Sequence, residues 1–323
     1  LDKIITVHSS LYSKTREEFL ENLMKIAPKG LSQVHLNNSG AESIEAAIKF
    51  ARKFTGKKGM IAMNGSYHGK SLGALSLTFN PKYRKSFQPL VDKVSFSPYG
   101  DIDGLQNTID DDTAFIILEP IQGESGIHVP PNGFLQKVRK ICDENEILLI
   151  FDEIQSGLGR TGRMWASEHW ETSPDILCLA KGIAGGVPMG ATLVRPDILS
   201  VMNKGEHSST FGGNPLSCSA GTATIQALTQ DGLIDNAEKM GKKFSDGLNI
   251  LKSKHGIIRE IRGKGLMIGI ELKFEVKDIL LEGIKKGVLL LYSGRNILRL
   301  LPPLVITNDD VTKSLDILDE LLT

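Results

Sequence analysis

Lys181 stands in Leu179-Ala180-Lys181-Gly182, directly after a short apolar run and before the turn Gly185-Gly186-Val187-Pro188. A lysine in such a loop is ordinarily a solvated charge. Beside desolvating apolar residues it can instead lose its proton and act as a Schiff-base nucleophile. Asp152, in Ile150-Phe151-Asp152-Glu153-Ile154-Gln155, ends the most apolar run of the chain. One reading makes it a helix cap or a salt-bridged carboxylate. The other makes it a ligand group, because open α/β sheets bind ligands outside the carboxyl ends of their strands. Buried there, the carboxylate needs a cationic partner, which a protonated pyridine nitrogen would supply.

Two further segments have the chemistry of anion sites. Asn38-Ser39-Gly40-Ala41-Glu42 precedes a helical pattern. Backbone N–H groups at a helix start attract anions, and small Gly40 and Ala41 allow close approach of a phosphate. An ordinary N-cap by Ser39 explains the same residues. Ser209-Thr210-Phe211-Gly212-Gly213-Asn214-Pro215 is a second hydroxyl-bearing glycine turn. Thr210 there either binds phosphate or caps the next helix. In Tyr67-His68-Gly69-Lys70, the Tyr67 ring can stack on a planar cofactor or belong to the core. His68 and His169 lack companions at metal-ligand spacing, so no metal is expected. Gly157-Leu158-Gly159-Arg160-Thr161-Gly162 fits the dinucleotide fingerprint. Five residues separate it from the strand, so a dinucleotide site is set aside.

These residues need a scaffold of alternating strands and helices. Helices are expected over 17–27, 42–54 and 134–144. Strands are expected over 34–37, 58–63, 114–118, 147–151, 176–179 and 191–194. The run 147–151 is wholly apolar, as a buried parallel strand requires. The alternation predicts an α/β fold with a largely parallel sheet. After Asn214 the texture changes. Long helices over 216–229 and 233–253 lead to a glycine-punctuated strand pair over 260–273. Elements over 278–286, 288–291, 297–301 and 309–322 complete a smaller α+β unit. The expected division is 1–214 for the large domain and 215–323 for the small one.

Composition narrows the class. The chain has 323 residues, 38 basic against 38 acidic side chains, and 41% hydrophobic residues. A balanced charge offers no broad footprint for nucleic acid or an anionic membrane. No apolar run is long enough to form a membrane-spanning helix. Cys142, Cys178 and Cys218 lie far apart, which suits buried thiols in a reducing cytoplasm better than a disulfide scaffold. The chain starts at Leu1, without methionine or a signal-peptide pattern, so a preceding segment is expected to be missing.

The motifs become specific in their order: Ser39-Gly40-Ala41-Glu42, Tyr67-His68-Gly69, Glu119-Pro120-Ile121-Gln122-Gly123-Glu124, Asp152-Glu153-Ile154-Gln155, Lys181, then the Ser209–Pro215 turn. Over nearly the whole chain this series resembles the class III (subgroup II) pyridoxal-phosphate aminotransferases. It is most similar to acetylornithine aminotransferases and their relatives in lysine biosynthesis. The resemblance implies fold type I, with a mainly parallel seven-stranded sheet in a large domain and a smaller C-terminal domain. It also implies pyridoxal 5′-phosphate (PLP) and a homodimer with active sites shared between subunits.

The resemblance also implies roles. Lys181 matches the Schiff-base lysine that then moves a proton as base and acid. Asp152 matches the group that keeps the pyridine nitrogen protonated, so the ring can act as an electron sink. Gln155 matches the contact to the phenolic oxygen, and Tyr67 the stacking ring, with His68 beside it. Ser39, Gly40 and Ala41 match the phosphate cradle, with Thr210 arriving from the other subunit. Arg299, in Leu298-Arg299-Leu300, matches the arginine that binds a glutamate carboxylate. Glu124 matches the acid that pairs with it when an ω-amino substrate binds. Lys70 stands where the family usually has arginine. It offers the distal substrate carboxylate a charge without a bidentate fork.

The expected reaction is transfer of a terminal amino group to 2-oxoglutarate. The leading donor is lysine or ornithine linked through its α-amino group to a small acidic carrier protein, with Lys82, Arg84 and Lys85 as a basic patch for that carrier. The alternative donor is free N-acetylornithine. An aminomutase is disfavoured by Arg299 with Glu124. A non-catalytic PLP-fold binding protein is disfavoured by the joint presence of Lys181, Asp152 and Gln155.

Overall fold

The computed structural model describes residues 4–8 and 10–323. In chain order the elements begin with α1 (Lys14–Ile26), β1 (Gln33–Asn37), α2 (Gly40–Thr55), β2 (Gly59–Met63) and the short α3 (Leu72–Ser76) and α4 (Pro81–Arg84). Then come β3 (Val94–Ser97), α5 (Ile102–Gln106), β4 (Thr113–Leu118), α6 (Phe134–Glu144), β5 (Leu148–Asp152), β6 (Ile176–Leu179), β7 (Gly190–Val194) and α7 (Pro196–Ser200). The chain ends with α8 (Pro215–Gln230), α9 (Leu233–Lys254), β8 (Ile258–Lys264), β9 (Met267–Leu272), α10 (Lys277–Lys285), β10 (Leu291–Ser293), β11 (Ile297–Leu300) and α11 (Asn308–Leu321).

One sheet has seven strands in the order β1-β7-β6-β5-β4-β2-β3. Only β7 runs against the others, pairing antiparallel with both β6 and β1. This is the mainly parallel seven-stranded sheet expected from the family resemblance. The central strands β4 and β5 are buried along their whole length, which explains the apolar runs 114–118 and 148–151 within them. α2 covers the sheet with Ile44, Ala47, Ile48 and Ala51, a stripe of helical period. It stops at Gly56, whose φ of 69° makes a left-handed cap bonded to the Arg52 carbonyl.

The chain divides into two compact units. The first comprises Leu1–Pro120, Pro130–Gln155 and Ser167–Leu228; the second comprises Ile121–Val129, Ser156–Ala166 and Thr229–Thr323. This division differs from the boundary expected at 214/215. Here nearly all of α8 groups with the first unit, and two short earlier segments group with the second. The second unit holds the four-stranded antiparallel sheet β10-β11-β9-β8. Its own core is built from α9 residues Met240, Phe244 and Leu248, sheet residues Ile268, Ile270 and Leu298, and Val311 and Leu318 of α11.

Two local expectations change. β3 was not anticipated: it is a short edge strand of half-covered residues, so it carries no apolar run. The strand expected over 288–291 begins only at Leu291. Val288 instead bonds back to the Gly283 carbonyl at 2.8 Å and closes α10, while Leu289 faces solvent. Among the described residues no helix is long and apolar enough to cross a membrane.

Candidate active site

Asp152 is the last residue of β5, and its side chain is only 4% exposed. It pairs across the sheet with Cys178 of β6, so Lys181 lies three residues beyond that partner on the adjacent parallel strand. Both side chains therefore leave the sheet at its carboxyl edge, where α/β folds bind ligands. Lys181 has φ of 44°, a left-handed conformation rare for a residue with a β-carbon. Strain of this kind persists only where surrounding structure enforces it, and it concentrates at functional sites. Lys181 is exposed.

The Asp152 carboxylate is held from two sides. Its Oδ1 accepts the Ile154 backbone N–H at 3.0 Å, and its Oδ2 lies 2.7 Å from His68 Nδ1. His68 is fully enclosed, and its backbone N–H donates to Thr78 Oγ1. The neighbouring carboxylate and burial together push the Cys178 thiol well above its usual range, burial being the larger cause.

The phosphate candidates converge on the same edge. Ser39 caps α2, its hydroxyl accepting the Glu42 N–H at 3.2 Å. A β-carbon added to Gly40 would sit 2.9 Å from Ile154 Cδ1, so this helix start lies against the segment following Asp152. Gly69, at φ of 133°, is equally close to Ala41: an added β-carbon would meet the Ala41 Cβ at 3.1 Å. Tyr67-His68-Gly69, Ser39-Gly40-Ala41 and Asp152–Gln155 thus form one cradle. The second glycine turn is tied to it, because Asn38 Nδ2 donates to Ser209 Oγ at 3.1 Å. Thr210, the next residue, is exposed.

Other members were less visible in the sequence. Glu119, just past β4, accepts the Tyr67 backbone N–H at 3.0 Å and positions the aromatic turn. Glu45 of α2 accepts both Gly73 and Ala74 N–H groups at the start of α3. Only Glu119 had a local signal, a carboxylate directly after an apolar strand like Asp152. Tyr67 packs edge-to-face on Tyr83, with centroids 5.9 Å apart, and Lys70 Nζ lies 5.0 Å from the Tyr83 ring centre. Lys70 is thus engaged in a cation–π contact.

Arg299 and Glu124 both belong to the second unit. Arg299 Nη1 donates to Glu124 Oε1 at 2.7 Å and to the Gly123 carbonyl at 3.4 Å. The Arg299 Nε is buried with no partner in the chain. An arginine held on one edge of its fork retains donors for a second carboxylate.

The donor set of the first unit fits PLP. A helix start lined by Ser39, Gly40 and Ala41 suits a phosphate, and a buried carboxylate suits a pyridinium. The Gln155 amide oxygen is buried without a partner in the chain, which leaves it available to a ring hydroxyl. Lys181 would supply the amine for the aldehyde.

Fold and cradle together define a PLP-dependent enzyme of the aminotransferase type. The chain belongs to the class-III aminotransferases: the model of that family matches residues 1–322. It is 44% identical to the acetylornithine aminotransferase of Methanopyrus kandleri over 317 residues, 98% of this chain and 81% of that protein. It is 42% identical to ornithine aminotransferase 1 of Staphylococcus saprophyticus over 329 residues, covering 99% and 82%. The crystal structure of ornithine aminotransferase from Toxoplasma gondii superposes with a TM-score of 0.95 at 32% identity, covering 99% of this chain and 79% of that one.

Proposed function

We propose that this aminotransferase moves the terminal amino group of N-acetylornithine to 2-oxoglutarate, giving the semialdehyde and glutamate. The observation that carries the reading is the Arg299–Glu124 pair at 2.7 Å. Arg299 binds a glutamate carboxylate in one half-reaction. In the other, Glu124 neutralises it while the uncharged middle of the amine donor is present. The donor assignment is supported by relatives at 42–44% identity that are named acetylornithine aminotransferase.

The carrier-linked donor becomes the second reading. Of its basic patch, Arg84 packs its guanidinium over Phe96, 4.8 Å from the ring centre. That leaves Lys82 and Lys85 as the exposed charges, a pattern an ordinary solvated surface explains.

When bound, PLP supplies the electron sink for charge left by deprotonation. Asp152, only 4% exposed, would hold the proton on the pyridine nitrogen. His68 holds Asp152 in place. Lys181 Nζ would take the proton from the substrate carbon that carries the amine and give it to the cofactor's former aldehyde carbon, so that the amino group stays behind when the product leaves. Ser39, Gly40 and Ala41 would hold the phosphate, Tyr67 would cover the ring, and Gln155 would take the phenolic oxygen. Thr210 contributes to the phosphate of the partner subunit in a homodimer. Lys70 attracts the distal substrate carboxylate.

A single-turnover titration of the PLP-loaded enzyme, read by cofactor absorbance, tests the donor. Fast conversion by free N-acetylornithine is expected. Conversion only by lysine or ornithine attached to an acidic carrier protein would overturn the assignment and restore Lys82 and Lys85 as docking residues.

A further inference from the structure

Glu124 lies in a loop whose backbone is fastened far more firmly than its side chain. Gln122 and His128 exchange both backbone hydrogen bonds at 3.0 Å and close the loop Gly123–Ile127 between them. Within it Gly126 has φ of 128° and Ile127 φ of 58°. The latter is a genuine outlier for a β-branched residue, so surrounding contacts must hold it.

Those contacts come from the second unit's own sheet. Ser293 of β10, 2% exposed, donates its hydroxyl to the Glu124 carbonyl at 2.7 Å. Arg262 of β8 donates Nε to the Gly126 carbonyl at 2.8 Å. Its Nη1 is anchored at the same time to Glu260 and Glu271. Packing closes the remaining space: a β-carbon on Gly126 would lie 2.4 Å from Ile297 Cδ1. The Glu124 side chain is in a different situation. It is 34% exposed, so water can solvate its carboxylate as it leaves Arg299.

Movement of the whole loop would strand buried backbone carbonyls and a buried hydroxyl, each a costly loss. Rotation of one partly exposed side chain exchanges a single ion pair for hydration. We propose that Ser293 and Arg262 are positioning residues for substrate choice: they immobilise the Gly123–Ile127 backbone so that the Glu124 carboxylate alone moves on and off Arg299. The proposal rests on the reading of Arg299 and Glu124 given above. Loosening the loop weakens the Glu124–Arg299 pair. Glutamate, which competes with Glu124 for Arg299, then gains, while the amine donor, which needs Arg299 neutralised, loses.

The test measures both half-reactions of the PLP-loaded enzyme separately, with glutamate and with N-acetylornithine. Ser293→Ala removes one hydroxyl and leaves the shape of the site. It should lower the glutamate KM relative to the N-acetylornithine KM by about fivefold, the effect of one lost hydrogen bond. Arg262→Lys, which keeps the charge beside Glu260 and Glu271, should shift the ratio in the same direction. Glu124→Gln should shift it further, and Ser293→Ala should then add nothing in the Glu124→Gln background. Equal losses in both half-reactions, or full additivity with Glu124→Gln, would reduce Ser293 to a structural residue and overturn the proposal. No shift from Glu124→Gln itself would instead sink the reading of the Arg299–Glu124 pair, and the proposal with it.

Discussion

Asp152 and Glu124 are both carboxylates 2.7 Å from a side-chain nitrogen, yet their settings differ. In the first unit, Asp152 is 4% exposed and its partner His68 is wholly enclosed. In the second, Glu124 is 34% exposed and Arg299 9%. Burial makes the first pair a fixed electrostatic element, because breaking it would leave an uncompensated charge without water. Partial exposure of Glu124 makes the second pair exchangeable, because water can solvate the freed carboxylate while another carboxylate takes its place on Arg299. On the proposed reading, one unit would hold a charge in place throughout the reaction, and the other would release one between half-reactions.

Substitutions can break that contrast. Lys181→Ala should give the largest loss, with both half-reactions falling by about 10²–10⁴-fold as general base and acid are removed. Loss of the lysine-linked cofactor absorbance should accompany it, and retained single-turnover rates would refute the role. Asp152→Ala should follow, slowing both half-reactions by about a hundredfold through lost electrostatic stabilisation. It should also weaken PLP binding, measured by dialysis and reconstitution. A selective effect on one substrate would show that Asp152 is not a shared, fixed element.

Arg299→Ala sharpens the other side of the comparison. It removes a charge-assisted contact, so the glutamate half-reaction should lose about 10–100-fold in kcat/KM. The N-acetylornithine half-reaction should lose much less. Equal losses would erase the difference between the two carboxylates.

The smallest effect concerns a half-buried histidine. His35 faces His207 with ring centres 4.5 Å apart. Burial, then His207, then Lys49 lowers the His35 pKa to about 4. Its folded value lies below the ordinary one of 6.5, so its contribution to stability is complete above that pH. It is lost as pH falls towards 4. A His35→Phe variant should show a flatter fall of thermal midpoint over that window, and an unchanged slope would contradict the assignment.

Much of this was legible in residue order. The stripe of α2, the apolar runs of β4 and β5, and α6, found at Phe134–Glu144 as expected, are local patterns that burial simply uses. The positions of Lys181, Asp152 and Ser39 at strand ends and a helix start were legible locally, and only the order of the motifs proposed them as one site. The bond between His68 and Asp152 was not, since 84 residues separate them and no short-range signal links an imidazole to a distant carboxylate. The edge strand β3 escaped because half-covered residues need no apolar run. The hold of Ser293 on the Glu124 carbonyl spans 169 residues and uses a backbone atom, which carries no residue code at all.

By itself, then, the sequence determined the family, the alternation of strands and helices, and the chemistry available at each strand end. These depend on side-chain type and on periods of two or about three and a half residues, which are local properties. Tertiary structure alone decided which carboxylate is sealed and which can exchange its partner. Solvent exposure and pairing are set by chain segments brought together from far apart, and no local pattern encodes the distance between them.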